Sequence, residues 1–450
     1  MLVNSKTFYS NHAREIDRYR TSQDESLHLV NIDSQYPNLD YEKNIVKMSF
    51  NNYSEIQKLI EAGGKFKLIV VTDLFELSED IHYFLNLINK LLENDGKLLI
   101  TSINPKWNRI LSYFEFLKLK NRTNKRNYIH PKKINTIARS SGLELLLTNT
   151  RQIFPFSLFG VGIFINKLLE FLLFYLNFGI KTYSLFRPLF NTKKTESKSI
   201  IVPAKNEEGN LEDLINRIPY FGEDQEIVII CGQSKDDTLG VANKLKKENK
   251  KLNISVLTQS GKGKANAVHE AIEYSNGELI AILDSDISVD PETLVDFFKI
   301  IEDGYCDFVN GTRLIYGKEK GAMRFLNVIG NVSFQFLISI VIKQKLTDSL
   351  CGTKVFKKNY LDHLKDWSDS SLIRDPFGDF DFIFSAAYSG QKILEYPVHY
   401  RTRTYGSTQI SRFKDGWKLL IYFINSLYRF NVSKLTDLLR LLKKGSCSLL

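Results

Sequence analysis

Glycine is absent from the first 62 residues of this 450-residue chain, cysteine occurs four times and proline ten times. Each scarcity excludes something. Without an early glycine, the amino-terminal segment has no permissive turn that lets backbone approach a cofactor closely. Cys231, Cys306, Cys351 and Cys447 show no C-x-x-C spacing, and the seven histidines form no H-E-x-x-H, so neither zinc nor a disulfide framework is expected. That usage fits a reducing cytoplasm. The start, Met-Leu-Val-Asn-Ser-Lys, lacks the charged-then-apolar layout of a signal peptide, which points the same way. Internal repeats and low-complexity segments are also missing.

Long hydrophobic runs are scarce too. Phe325–Ile342 is uncharged for 18 residues, just short of the roughly 20 that span a bilayer as a helix. It carries Asn327, Asn331, Ser333, Gln335 and Ser339, which favours an interfacial or groove-lining helix over a span. Residues 168–180 are similar but interrupted by Glu170 and Asn177, and read as a surface-seeking or core helix.

What is abundant is positive charge. Lys and Arg exceed Asp and Glu by 61 − 51 = +10, and residues 401–444 hold ten Lys/Arg against Asp415 and Asp437 alone. Aromatic residues from Tyr405 to Phe430 interleave with this charge, which suits an anionic membrane surface or a phosphate-bearing acceptor. A peripheral, cytoplasmic membrane association is expected. No motif supports nucleic acid.

A polar stretch at 191–198 separates two segments that each alternate strand-like and helix-like patterns. The expected organisation is residues 1–190, a linker at 191–198, a second domain at 199–430 and a basic tail at 431–450. In the first, 67–73 and 96–101 read as strands flanking an amphipathic helix at 81–93. In the second, 199–203, 226–230, 254–257 and 279–283 read as strands of a parallel sheet.

Residues 67–101, with a strand, an acidic turn, a helix and a Gly-led strand in order, resemble the second half of a class I S-adenosylmethionine-dependent methyltransferase. Residues 8–20 look like that family's lead-in, and 128–156 like its later helix and strand. The segment Leu29-Val-Asn-Ile-Asp33 resembles the family's second strand and comes too early to leave room for a first. The resemblance therefore implies an incomplete Rossmann-like domain with no S-adenosylmethionine site, kept for packing or docking.

Residues 277–286, Gly-Glu-Leu-Ile-Ala-Ile-Leu-Asp-Ser-Asp, read as a buried strand that delivers Asp284 and Asp286 at its carboxyl end. Two such carboxylates can hold a divalent cation that also takes phosphate oxygens. By itself an Asp-x-Asp at a strand end is more often turn chemistry.

Further motifs follow in order. These are Val202-Pro203-Ala204-Lys205-Asn206-Glu207, Gly232-Gln233-Ser234-Lys235-Asp236-Asp237-Thr238, and Gly261-Lys262-Gly263-Lys264-Ala265. Asn310-Gly311-Thr312-Arg313, Asp348 to Gly352, Gly378-Asp379-Phe380-Asp381, and Arg403 to Arg412 around Gly406-Ser407 complete the set. Together they resemble family 2 glycosyltransferases of the GT-A (nucleotide-diphospho-sugar transferase) fold, in the branch of dolichyl-phosphate sugar transferases.

The resemblance implies an inverting transfer from a nucleotide-diphosphate sugar, with Mg2+ or Mn2+ as cofactor. Pro203, Asn206, Glu207, Ser234, Asp236, Lys262, Lys264, Asp284, Arg313, Arg403, Ser407 and Arg412 would bind the donor, and Asp284 and Asp286 the metal. Asp348 would border the reacting centre, with Asp379, or secondly Asp381, as base for a hydroxyl acceptor. Cys231 and Gly232 replace the family's leading aspartates, which leaves base recognition open. Helix capping is an alternative role for Asn206, Ser234, Asp236 and Thr238, and His399 is read as structural, within a strand.

The preferred acceptor is a polyprenyl phosphate. A glycan or protein hydroxyl in surface-polysaccharide assembly is the alternative, and a non-catalytic scaffold is the alternative of another class.

Overall fold

The computed structural model describes residues 12, 15–16, 18–19, 26–30, 45–49, 53–78, 80–118, 131–154, 156, 161–173, 176–189, 197–316, 325–371, 375, 377–403, 405 and 412–431. The chain divides into two units, 1–191 with 427–450, and 192–426.

Unit 1 contains the strands β1 (Ser26–Val30), β2 (Ile45–Ser49), β3 (Phe66–Val71), β4 (Leu92–Ile103), β5 (Leu143–Arg151) and β6 (Lys181–Pro188). Its helices are α1 (Tyr53–Glu61), α2 (Ile81–Leu91), α3 (Asn108–Phe116), α4 (Pro131–Ser140) and α5 (Val161–Leu173). The sheet order is β2-β1-β3-β4-β6-β5, with β6 antiparallel to both neighbours. Helix α2 starts where Asp80 accepts from the Tyr83 N–H at 2.9 Å, and it buries Ile81, Phe84, Leu85 and Ile88, an i, i+3, i+4, i+7 stripe. That stripe packs with Ile69, Val71, Leu98 and Ile100 of the sheet. The helix expected at 168–180 lies earlier, because Asn166 belongs to its inward face.

Unit 2 contains β7 (Lys198–Ala204), β8 (Gln225–Cys231), β9 (Asn253–Thr258), β10 (Leu279–Ile282), β11 (Phe308–Thr312), β12 (Lys354–Lys357) and β13 (Ile393–Pro397). Its helices are α6 (Leu211–Arg217), α7 (Thr238–Glu248), α8 (Lys264–Tyr274), α9 (Leu294–Glu302), α10 (Phe325–Ile342), α11 (Leu361–Asp369), α12 (Asp379–Tyr388) and most of α13 (Arg412–Asn431), whose residues 427–431 are counted in unit 1. The order is β13-β11-β12-β10-β7-β8-β9. The sheet is mixed, where a parallel one was expected: β12 runs antiparallel to β10 and β11, and the other pairs are parallel. A short strand reached from a long excursion after α10 re-enters from the opposite end, which no strand-helix alternation announces.

Both faces of the central strands are buried, so β8 and β10 are apolar throughout their middles instead of alternating. One face packs Ile200, Val202, Ile227, Ile229, Ala281 and Leu283 against Phe297 and Phe298 of α9. His399 follows β13 instead of lying in a strand, and its ring stacks on Tyr316 at 4.3 Å.

Candidate functional site

The strand order decides where the motifs meet. Because β7, β8, β10, β11 and β13 run the same way, their carboxyl ends share one edge, and antiparallel β12 starts at that edge. The order reverses between β7 and β10, so a crevice opens there, at the switch point where open α/β sheets bind ligands. Asp284 and Asp286 stand beside it, and the Ser285 hydroxyl between them donates to the Pro203 carbonyl at 2.9 Å.

In the free site both members of the aspartate pair have a basic partner. Lys264, at the start of α8, pairs with Asp284. Burial works against both charges, yet the pairing holds the Asp284 carboxyl below its ordinary value and the Lys264 ammonium above its own. Arg403 pairs with Asp286 at 2.6 Å, and the other Asp286 oxygen accepts from the Ser288 N–H at 3.0 Å. Between them Ile287 takes φ 50°, a strained value for a β-branched residue that turns the chain sharply under the carboxylates. Gly352 sits so close that a Cβ there would overlap Asp284 and Lys264, and a Cβ on Gly378 would meet Ala265. The segments at 348–352, 378–381 and 261–265 therefore converge on the aspartate pair.

Glu207 is buried near Asp284, Asp286 and Arg403. Burial pushes its carboxyl up to about 7, while the Asn210 amide donating at 2.6 Å pulls the other way. Asn206, Ser234 and Asp236 bind each other's loops: the Asn206 N–H donates to Ser234 Oγ at 3.0 Å, Lys235 N–H to Asn206 Oδ1 at 2.7 Å and Glu208 N–H to Asp236 Oδ2 at 3.2 Å. Asn206 adopts φ 57° and caps no helix; the N-cap of α6 is Asn210, and α7 is capped by Asp237 through Gly240 N–H at 3.2 Å. Tyr405 reaches Asp236 at 3.3 Å, and a Cβ on Gly209 would strike its ring, so the segment after β13 crosses this turn. Cys231 is packed in the core with its thiol pushed up to about 11 by burial, which makes it a small hydrophobe in place of an acid.

Four expected residues are engaged differently. Arg313 holds Asp348 in a bidentate pair, 2.7 and 2.9 Å, and Asp348 is fully buried. Both groups thus satisfy each other, and Arg313 faces a carboxylate where a phosphate contact was expected. Burial opposes the Asp348 charge, but Arg313 outweighs it and keeps the carboxyl well below its usual range. Asp379 accepts from Lys354 at 2.6 Å. Asp381 accepts from the Tyr422 hydroxyl, which itself accepts from Trp367 Nε1 at 2.7 Å, so this carboxylate fastens α13 instead of entering the crevice. Lys262 is exposed beside the turn. Ser407 lies outside the described residues, as does the side chain of Arg412.

Sequence reasoning missed Lys354, Asn331, Asp375 and Glu395. Asn331 donates to Asp348 at 2.7 Å and accepts from the Ser349 N–H at 3.0 Å, so the polar interruption in α10 was a signal for it. Glu395 accepts from the N–H groups of Thr347 and Asp348 at 2.7 and 2.9 Å. Among the described residues no three His, Cys, Asp or Glu side chains gather into a metal cage.

Part of the chain is similar to known proteins. Residues 199–365 match the family described as Glycosyl transferase family 2. The dolichyl-phosphate hexose transferase of Haloferax volcanii is 26% identical over 218 residues, covering 48% of this chain and 88% of that protein. The low-salt glycan biosynthesis hexosyltransferase Agl6 of the same organism is 27% identical, over 49% of this chain and 51% of its own length. Undecaprenyl-phosphate 4-deoxy-4-formamido-L-arabinose transferase of Enterobacter sp. (strain 638) is 24% identical, over 47% and 62%. Among solved structures, glucosyl-3-phosphoglycerate synthase from Mycobacterium tuberculosis, in complex with Mn2+, UDP and phosphoglyceric acid, aligns with a TM-score of 0.40 at 16% identity, covering 52% of this chain and 78% of that one. Residues 199–365 are thus similar to the glycosyl transferase family 2 domain, and the protein is an enzyme of the glycosyltransferase kind.

Proposed function

We propose that unit 2, with a GT-A fold, transfers a sugar from a nucleotide-diphosphate donor to a polyprenyl phosphate, with inversion at the anomeric carbon. The observation that carries this reading is the meeting of Asp284, Asp286, Lys264 and Arg403 at the switch point of the sheet. The names of two relatives, a dolichyl-phosphate and an undecaprenyl-phosphate transferase, support the acceptor class. A scaffold without activity is set aside by the family 2 match.

Asp284 and Asp286 present the oxygen donors that Mg2+ or Mn2+ prefers, and such an ion keeps waters and takes substrate phosphates, so two carboxylates fit it. When bound, the ion supplies positive charge to the departing diphosphate. Arg403 and Lys264 neutralise the aspartates in the free site and move to the diphosphate oxygens when donor enters. The turns around Pro203, Asn206, Glu207, Ser234 and Asp236 border the nucleoside, and Lys262, Ser407 and Arg412 are further donor contacts. The acceptor oxygen attacks the anomeric carbon as the bond to the β-phosphate oxygen breaks, and the nucleoside diphosphate leaves with the electron pair.

A hydroxyl acceptor would pass its proton to Asp379, but the Lys354 ammonium already occupies that carboxylate. A phosphate acceptor arrives as an anion and needs no base, which favours the lipid phosphate. Apolar side chains exposed on α10, such as Ile329, Val332 and Phe336, support a membrane-side acceptor, and among the described residues no helix is long and apolar enough to cross a membrane.

Unit 1 is proposed to be a methyltransferase-like domain that has lost its first strand. The doubly wound order 3-2-1-4-5 without strand 1 leaves 3-2-4-5, which corresponds to β2-β1-β3-β4. At the neighbouring carboxyl ends of β3 and β4, Lys181 from the start of β6 pairs with Asp73, whose carboxylate also accepts from Thr101 Oγ1 at 3.3 Å.

Nucleotide release from a panel of nucleotide sugars, with Mn2+ and a detergent-solubilised polyprenyl phosphate, tests the function. Label that appears in the organic phase supports the lipid acceptor; label that stays aqueous on a glycan or protein assigns the hydroxyl alternative.

A further inference from the structure

Helix α5 is inside out. Its polar residues Asn166 and Glu170 are 1% and 4% exposed, whereas Val161, Leu168 and Leu172 are 57%, 58% and 53% exposed. The buried side is a set of hydrogen bonds to the chain that precedes the helix: Asn166 Oδ1 accepts from Phe154 N–H at 2.9 Å, Glu170 Oε1 accepts from Gln152 N–H at 2.5 Å and from Asn166 Nδ2 at 2.9 Å. A water-facing helix places such groups outside and its leucines inside. Here the polar groups anchor the helix and the leucines are left outward.

Helix α3 repeats the pattern nearby. It buries Leu111 and exposes Ile110, Tyr113 and Phe116, the last two at 60% and 77%. Its entry is tied to the chain after α5, since Trp107 Nε1 donates to the Phe178 carbonyl at 2.6 Å and Lys106 Nζ to the Leu176 carbonyl at 2.8 Å. Its far end is tied to the chain before α5, since Phe114 meets Phe156 edge-to-face at 6.2 Å. Two outward apolar helix faces therefore belong to one region of unit 1, and exposed apolar groupings of this kind mark interaction surfaces.

Charge selects the occupant. From residue 116, at the end of α3, to residue 143 the sequence has eight Lys/Arg and no Asp/Glu. A second copy would carry the same excess of positive charge, which like-charge repulsion opposes. An anionic bilayer attracts the run and accepts the apolar and aromatic side chains at its headgroup boundary. We propose that the outward faces of α3 and α5 form a membrane-docking site of unit 1 that holds the enzyme on an anionic lipid surface. It deepens the proposed membrane association and rests on it only for the kind of surface, because the face would bind lipid whichever acceptor unit 2 uses.

Flotation of the full chain with vesicles of phosphatidylcholine, and of phosphatidylcholine and phosphatidylglycerol at roughly 2:1, tests the site. The double variants Tyr113→Ser/Phe116→Ser and Leu168→Gln/Leu172→Gln alter exposed side chains, so their melting curves should match the parent. Each should lower binding to the anionic vesicles by about tenfold or more, with nucleotide release from soluble donor unchanged. Parent-like binding by both variants overturns the proposal; if Phe336→Ser on α10 lowers it instead, membrane association stands but belongs to unit 2. Light scattering that finds a parental dimer broken by these substitutions assigns the face to a second copy and also overturns it.

Discussion

Lys354, with no exposed surface, donates to Asp379 at 2.6 Å and also to the Cys351 carbonyl. A lysine opening a strand at the carboxyl-edge crevice thus fixes the first turn of α12 from beneath. Lys354→Met leaves the buried Asp379 carboxylate without its cation and should destabilise the fold by about 3–5 kcal/mol. Chemical denaturation measures this, and adding Asp379→Asn should recover part of the loss, because the stranded charge is then gone.

Asp286→Asn should abolish metal-dependent turnover while the fold persists. The amide retains one oxygen for the Ser288 N–H but lacks the charge that a divalent cation and Arg403 require. Metal titrations of nucleotide release compare variant and parent. Unchanged turnover at an unchanged metal optimum would remove Asp286 from the site.

Arg403→Ala and Arg412→Ala should each lower catalytic efficiency with the donor by about 1.5–3 kcal/mol, or roughly one to two orders of magnitude, the usual worth of a charge-assisted contact. Lys443→Ala, on the basic tail, should alter only membrane partition. Steady-state kinetics with soluble donor discriminate, since equal small losses in all three would describe a solvated basic surface.

Asp375 gives a pH signature. Burial, and next Asp379, push its carboxyl up to about 6, against the N–H groups of Phe377, Phe380 and Asp381 that donate to it. Between its unfolded value, about 3.9, and about 6 the folded chain keeps a proton that the unfolded chain has lost, so this group's contribution to stability declines as pH rises through that window. Thermal melts of parent and Asp375→Asn from acid to neutral pH should diverge in that sense, with the variant the less pH-dependent.

Unit 1 should not bind S-adenosylmethionine. With β1 paired directly to β3, and no glycine in the sequence before Gly63, there is no glycine turn after a first strand to receive the cofactor. Isothermal calorimetry should register no binding heat; a micromolar dissociation constant would falsify the reading.

The sequence by itself determined the elements that carry the chemistry. Apolar runs ending in Pro203, Cys231 and Asp284 are long enough to be buried strands and little else, and period and length place β7, β8, β10 and α10 within a residue or two. It also determined that Asp284 and Asp286 stand at a strand end, because the apolar run of the strand stops at Asp284. The tertiary structure alone decided which charges meet. Arg313 and Asp348 lie 35 residues apart and Arg403 and Asp286 farther still, and the reversal of β12 brings Lys354 under Asp379. Pairing of this kind depends on strand order and direction, and two strands of one composition can run either way. The inversion of α5 is of the same sort: its sequence has both apolar and polar faces, and only the hydrogen-bonding needs of the Gln152 and Phe154 backbone settle which of them turns inward.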